Sequence, residues 1–294
     1  MAKPTTFREF FKQFPDDDAC LAHLFNVRFG QGHKCHKCER EAKWYPIKAE
    51  RAYACQWCGH HLHPTVGTLF EKSRTPLQTW FYVIFKFTQT RHGVSAKEVE
   101  RETGVTYKCA YRMCKMIRQH MAEIDGEDPL GGEGYHVEID ETMVGGKRRG
   151  KRGRGAAGKT VVLGMVQRDG EIIVKVVPNI RRSTLQPLIE KHVEPGTTIH
   201  TDELASYDGL DKKGYQQKRV NHSKGEYVGP NGETVNAIEN FWRHLKQGIK
   251  GTHIWVSPEQ LETYAKEFEY RFNRRDCAET MLSELLSTFE KTAA

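Results

Sequence analysis

The chain of 294 residues lacks features that mark several classes of protein. No apolar run reaches the roughly 20 residues of a membrane-spanning helix, and the opening Met-Ala-Lys-Pro-Thr-Thr-Phe contains no signal-peptide core. No Gly-x4-Gly-Lys-Ser/Thr motif stands between a strand and a helix, so a nucleotide cofactor is not expected. These absences predict a cytoplasmic protein without a membrane partner.

Acidic residues are absent from Thr142 to Arg168, where the chain carries a glycine-rich basic segment. The net charge of +7 and the pI of about 8.9 favour a polyanionic partner. The segment resembles a nuclear-localisation run, but a flexible basic arm can equally follow a phosphate backbone. We expect it to bind DNA through Lys147, Arg148, Arg149, Lys151, Arg152 and Arg154.

Four of the eight cysteines form two Cys-x-x-Cys pairs, Cys35 with Cys38 and Cys55 with Cys58. Sixteen residues separate the pairs, which is the spacing of a zinc ribbon with four thiolate ligands. A module this small has little core, so Zn²⁺ would supply its folding energy. Two unrelated motifs or a dithiol redox centre are the alternatives.

A helix-turn-helix is predicted between the cysteine pairs and the middle of the chain. Ser95-Ala-Lys-Glu98 is a capping box that begins a short helix, Gly104 makes a turn, and a longer helix runs from Thr106 to about Met121. One face of the second helix carries Lys108, Tyr111, Arg112, Lys115, Arg118 and Gln119. Lys108, Arg112 and Lys115 are its candidate DNA contacts, although a solvated basic face would have the same pattern.

Beyond a glycine-rich acidic linker at 126–134, the order of elements predicts an α/β domain. Three consecutive strands are expected, followed by alternating helices and strands, which is the order of a ribonuclease-H-like fold. The strands are predicted near 135–144, 160–168, 171–178, 197–202 and 215–222, and the helices near 183–193, near 203–209 and from Thr234.

Three acidic residues occupy the places where such a fold would hold metal ligands. Asp140 lies within the first strand, Asp202 ends the fourth, and Glu239 lies on the last helix. Carboxylates hold the divalent cations, Mg²⁺ or Mn²⁺, that assist phosphodiester chemistry. Clustered carboxylates repel one another, so at least one of their pKa values should be raised. Neighbouring groups are expected to be supporting or solvated: Glu138, Glu141, Glu203 and His200.

The last helix carries Glu239 and Lys246 two turns apart, beside an apolar stripe that includes Ile238, Trp242 and Leu245. A carboxylate at this edge can reach a metal held by the sheet, and the lysine can steady a phosphate. A surface ion-pair face is the alternative.

Several segments resemble bacterial insertion-sequence transposases of the ISXO2-like group: Val137-Glu-Ile-Asp-Glu-Thr-Met-Val-Gly-Gly-Lys147, His200-Thr-Asp-Glu-Leu-Ala-Ser-Tyr207, Asn236-Ala-Ile-Glu-Asn-Phe-Trp242 and Tyr270-Arg-Phe-Asn-Arg-Arg275. The resemblance implies a DDE-type transposase with an N-terminal zinc ribbon, acting on the terminal inverted repeats of its own element. Double-stranded DNA, both element ends and target, would be its partner, in the bacterial nucleoid, and the chain would act as a homo-oligomer.

Carried over to this sequence, the resemblance makes Asp140 and Asp202 the first two metal ligands and Glu239 the third, with Lys246 seven positions later. Some relatives have asparagine in third place, so Asn236 and Asn240 are alternatives. Glu239 is preferred because a carboxylate binds a hard cation better.

The predicted domains are N-terminal helices at 1–32, a zinc ribbon at 33–70, a helix-turn-helix region at 71–125, a ribonuclease-H-like DDE domain at 135–275 and a tail at 276–294. Two other functions stay open. One is a DNA-binding regulator that has lost its chemistry, and the other is a nuclease that cuts without joining.

Overall fold

The structure, a computed structural model, describes residues 5–145, 159–220 and 236–289. The chain divides into two compact units. The first contains Met1–Thr90, Val94–His120 and Cys277–Ala294, and the second contains Arg91–Gly93 and Met121–Asp276. Within the described ranges, no helix is long and apolar enough to cross a membrane.

The helices are numbered in chain order: α1 (Phe7–Gln13), α2 (Asp17–Arg28), α3 (Leu77–Gln89), α4 (Ala96–Thr103), α5 (Tyr107–Asp125), α6 (Arg182–His192), α7 (Asn236–Gly248), α8 (Pro258–Asn273) and α9 (Met281–Ser287). The strands are β1 (Trp44–Ile47), β2 (Ala52–Cys55), β3 (His61–Leu62), β4 (Leu130–Gly131), β5 (His136–Val144), β6 (Thr160–Gln167), β7 (Ile172–Val177), β8 (Val193–Glu194), β9 (Thr198–Thr201) and β10 (Gln216–Arg219).

The first unit is mainly helical and contains a small antiparallel sheet of β1, β2 and β3. Helix α3 is apolar on most of its surface, and its Trp80, Phe81 and Phe87 are almost completely buried. The C-terminal segment belongs to this unit, and His120 Nε2 on α5 forms a hydrogen bond of 3.0 Å with the backbone oxygen of Leu285 on α9.

Helices α4 and α5 are joined by a short turn. The hydroxyl of Ser95 accepts a hydrogen bond from the Glu98 amide and begins α4, and Gly104 ends it at φ +72°, a conformation that favours glycine. On α5, Lys108 and Arg112 are exposed and Lys115 is half-buried.

The prediction that Arg118 shares this exposed face is wrong. Arg118 is 2% exposed, donates to the Val94 carbonyl at 2.9 Å and lies over the ring of Phe87. A guanidinium with an acceptor and an aromatic face can be buried, whereas helical spacing alone shows only its direction.

The second unit contains a five-stranded sheet in the order β10-β9-β5-β6-β7. Strands β5, β6 and β7 pair antiparallel, whereas β5 with β9 and β9 with β10 pair parallel. The five strands predicted from the sequence are therefore confirmed. The first of them, β5, lies at the centre of the sheet.

Both faces of this sheet are covered. On one face α6 packs against an apolar cluster that includes Val137, Ile139 and Ile199. On the other, α7 and α8 pack against Val162, Val166 and neighbouring side chains. Because side chains alternate along a strand, Glu138 and Asp140 point to the α7 side.

Two predictions about the connections need correction. The helix expected near 203–209 is a single 3₁₀ turn, Ala205–Tyr207, because the Asp202 carboxylate accepts the Leu204 amide at 2.8 Å and diverts the backbone. The expected linker at 126–134 contains β4, which pairs in parallel with β8.

Candidate active site and cysteine cluster

Asp140 and Asp202 meet where β5 and β9 lie side by side. Their register pairs Glu138 with His200, and two further residues along each strand bring Asp202 beside Asp140. Carboxylate oxygens from Asp140, Glu141 and Asp202 lie within 4.8 Å of one another. Oxygens at this spacing can share a divalent cation.

The helix that carries Glu239 also contacts Asp140. The indole N–H of Trp242 on α7 donates to Asp140 Oδ2 at 3.0 Å. The ring can lie this close because Gly164 pairs with Asp140 across β5 and β6. A Cβ at Gly164 would stand 2.7 Å from the Trp242 ring and 2.6 Å from Ile238 Cδ1. Gly164 is therefore needed for close approach.

Glu239 and Lys246 lie on the exposed side of α7. Burial raises the pKa of Asp140 to about 6, the charges of Asp202 and Glu239 act in the same direction, and the indole hydrogen bond opposes them. One raised pKa in the cluster was expected from the sequence. Burial lowers the pKa of Lys246, and the charge of the Asp140 carboxylate acts in the opposite direction. The charges of both α7 residues therefore act on Asp140.

Glu138 ties the start of α7 to β5. Its side chain is almost completely buried, and Oε2 accepts the amides of Ala237 and Ile238 at 2.9 and 3.2 Å. Arg168 Nε donates to Oε1 at 3.1 Å. A carboxylate at a helix N-terminus satisfies amides that have no partner within the helix. The strand that carries Asp140 thus positions the helix that carries Glu239.

Glu141 joins the cluster from the opposite face of β5. It accepts a hydrogen bond of 2.7 Å from the hydroxyl of Tyr207, which is buried and whose pKa is raised well above its ordinary value, by burial first and then by Glu141. Asn240 and Asn236 are exposed, and the Asn240 amide oxygen accepts from Arg243.

The four cysteines form a compact cluster in the first unit. The Sγ atoms of Cys35 and Cys58 lie 3.7 Å apart and those of Cys38 and Cys55 lie 3.8 Å apart. A tetrahedron of sulfurs about 2.3 Å from a central Zn²⁺ has edges of about 3.8 Å. The geometry fits a structural zinc ion, and Cys35 and Cys55 are buried as such a site requires.

The candidate DNA contacts are separated in the chain. Lys108, Arg112 and Lys115 follow one side of α5. The arm residues Lys147, Arg148, Arg149, Lys151, Arg152 and Arg154 lie outside the described residues.

The sequence places Trp242 only in an apolar stripe, and its hydrogen bond to Asp140 was not predicted. A signal existed, because a buried indole N–H needs an acceptor and an acid is expected nearby. Glu138 shares a strand face with Asp140 and is expected from the sequence to be a supporting or solvated group. The structure gives it a supporting contact, whose partner at the start of α7 was not predicted.

Comparison with known proteins decides the family. Residues 15–61 match the transposase zinc-ribbon domain, and residues 129–273 match the ISXO2-like transposase domain. Over 106 residues, the chain is 36% identical to an "uncharacterized transposase-like protein" of Haemophilus influenzae, covering 36% of this chain and 84% of that protein. The chain belongs to the ISXO2-like transposase family.

A second relative is similar to this ISXO2-like transposase over nearly the full length of both chains. It is the "uncharacterized protein in transposable element ISH50" of Halobacterium salinarum, 27% identical over 303 residues, covering 96% of this chain and 98% of that protein. The zinc-ribbon match includes all four clustered cysteines, and the transposase-domain match includes Asp140, Asp202 and Glu239. These likenesses support a transposase whose domains suit DNA binding, with Zn²⁺ in the ribbon and a divalent metal in the DDE domain.

Proposed function

We propose that this chain is a DDE-type transposase that binds the terminal inverted repeats of its insertion sequence, cleaves DNA there and transfers the freed strand to target DNA. The observation that carries the proposal is the juxtaposition of Asp140 and Asp202, beneath the helix that carries Glu239. The charge of Glu239 acts on Asp140. Glu239 is exposed on α7 and is not among the carboxylates within 4.8 Å of one another, so its place as the third ligand is part of the proposal.

A ribonuclease-H-like fold for the second unit is part of the proposal. Its support is the sheet, in which three antiparallel strands are extended by two parallel ones with the first strand at the centre. The central position of β5 gives Asp140 neighbours on both sides. Catalytic groups placed on strands are held more rigidly than groups on loops.

Asp140, Asp202 and Glu239 would hold two Mg²⁺ ions, or Mn²⁺, and Glu141 lies close enough to contribute an oxygen. Such ions activate a water for in-line attack and stabilise the leaving oxygen. Trp242 fixes the orientation of the Asp140 carboxylate. Lys246 would contact a DNA phosphate as a point charge.

DNA recognition would fall to the first unit and to the basic arm. Helices α4 and α5 with the turn at Gly104 have the order of a helix-turn-helix, and Lys108, Arg112 and Lys115 would meet the DNA. The four cysteines would bind Zn²⁺ and so fold the ribbon. Pairing two element ends requires at least two protomers, so we expect a homo-oligomer on DNA.

The test is a strand-transfer assay on labelled element ends with Mg²⁺ or Mn²⁺. It compares the native chain with Asp140→Ala, Asp202→Ala and Glu239→Ala, and with Asp211→Ala as a control at an exposed acid. We expect joined product from the native chain and the control, and none from the three variants, all of which should still bind DNA.

Other outcomes separate the alternatives. Binding without any cutting by the native chain would favour a regulator, and nicks without joined product would favour a nuclease. If Glu239→Ala alone stays active, the third ligand should be sought by substituting Asn236 and Asn240.

A further inference from the structure

Two large apolar side chains stand in solvent just beyond the helix that carries Glu239. Ile254 is 84% exposed and Trp255 is 61% exposed. They follow a π-helical turn, Ile249–His253, that continues from α7. Single exposed apolar residues are common on protein surfaces, but Ile254 has the largest exposed fraction among the large apolar side chains that the structure describes.

The backbone holds this pair outward in a strained conformation. Ile254 has φ +64° and ψ −52°, and the Trp255 amide donates to the His253 carbonyl at 2.6 Å. This is a γ-turn with a positive central φ, a rare turn, and a β-branched residue is especially disfavoured at its centre. Strain of this kind is retained at functional surfaces when neighbouring structure imposes it.

The base of the turn supplies that support. The His253 ring packs edge-on against Tyr264 of α8 with centroids 4.7 Å apart. A Cβ added at Gly93 would lie 3.0 Å from His253 Nε2, so the backbone there approaches the ring closely. The packed base and the exposed tip, Ile254 and Trp255, together form an apolar platform.

The surroundings of the platform are cationic. The chain has no acidic residue from Asn240 to Pro258. The exposed positions of this stretch include Arg243, His244, Lys246 and Lys250. His92 stacks on His244 at 6.4 Å. Burial lowers the pKa of His244, and the charges of Arg243, His92 and Arg91 lower it further. These cationic groups can attract a phosphate, and the exposed acids nearest in the chain, Glu239 and Glu259, lie just outside the stretch.

We propose that Trp255 and Ile254 form a stacking platform for an unpaired nucleotide of a DNA strand, whose phosphates contact Lys250 and the basic side of α7. This rests on the proposed function and adds a binding subsite to it. Aromatic side chains in a positive groove bind single strands with little sequence preference. A two-fold contact with a second copy is disfavoured, because it would bring like charges together.

The test is fluorescence anisotropy, without added divalent metal, with two labelled probes: an oligothymidylate of about 20 nucleotides and a blunt duplex of similar length. We expect Trp255→Ala to weaken single-strand binding about 5- to 150-fold and Trp255→Phe to retain most of it. Duplex binding should change less than about twofold, since its bases are already stacked. Tyr135→Ala, which removes another exposed aromatic of the same unit, should match the native chain.

A second variant separates a loss of binding surface from a loss of stability. Ile254→Gly should raise the melting temperature, because glycine adopts a positive φ without strain, and should weaken single-strand binding because it removes apolar surface. Native-like oligothymidylate binding by Trp255→Ala would overturn the proposal. Loss of self-association by Trp255→Ala in sedimentation, with DNA binding intact, would also overturn the proposal, because it would identify a second copy as the occupant. Failure of strand transfer alone would count against the enzyme and leave this subsite standing.

Discussion

The contact between Glu138 and the start of α7 allows a prediction with a worked magnitude. Glu138→Ala removes the carboxylate that pairs with the Arg168 guanidinium and accepts hydrogen bonds from two helix amides. Breaking a buried ion pair costs about 3–5 kcal/mol. Arg168 is 28% exposed, and water can partly replace the lost partner. We therefore expect a loss of about 3 kcal/mol in the free energy of unfolding of the second unit.

Hydrogen exchange measured by mass spectrometry is the suitable assay, because it reports α7 separately from the first unit. A loss of about 3 kcal/mol corresponds to about 150-fold less protection of the amides within Phe241–Gly248. Glu138→Gln keeps an acceptor oxygen, so its protection of α7 should lie between that of the native chain and that of Glu138→Ala. Glu133→Ala removes an exposed acid of the same unit and should leave protection unchanged. Native protection of α7 in Glu138→Ala would refute the reasoning.

Three further predictions concern the zinc cluster, the glycine under α7 and an acid in the second unit. Removing zinc with a chelator should unfold the ribbon and weaken end binding, with the second unit intact by circular dichroism; unchanged end binding would count against this. Gly164→Ala should cost about 1–3 kcal/mol in urea unfolding by overpacking, whereas Gly251→Ala, whose Cβ meets nothing within 4 Å, should cost less. Burial acts to raise the pKa of Glu127, but hydrogen bonding to Lys175 and the charge and hydrogen bond of Lys266 hold it at about 2. A lowered pKa gives stability that is present above the ordinary value of 4.5 and lost as the pH falls towards 2, so melting temperatures should fall more steeply over this range in the native chain than in Glu127→Gln.

Much of the fold could be predicted because its signals are local. The alternation of apolar residues marks a strand whatever it pairs with, and all five predicted strands of the second unit are present. The spacing of the cysteine pairs predicts a cluster of four thiolates, and the Sγ distances agree with this prediction. The family resemblance is confirmed by the matched domains.

The errors arose where a tertiary contact or a side-chain hydrogen bond competed with a local preference. Helical spacing placed Arg118 on the same face as the exposed Lys108 and Arg112, but the acceptor that allows its burial, the Val94 carbonyl, lies outside α5. The helix expected after Asp202 is reduced to one turn because the Asp202 carboxylate accepts a hydrogen bond from the Leu204 amide. Neither outcome follows from periodicity.

The sequence by itself determined which residues could do chemistry: four thiolates at ribbon spacing, three acids in a recognisable order and a basic segment without acids. Only the tertiary structure decided how the acids are held. It placed the Trp242 indole on Asp140, used Glu138 to start α7 and brought Glu141 into the cluster. These contacts join residues that are far apart in the chain, so their partners depend on sheet register and helix packing, which local sequence patterns do not encode.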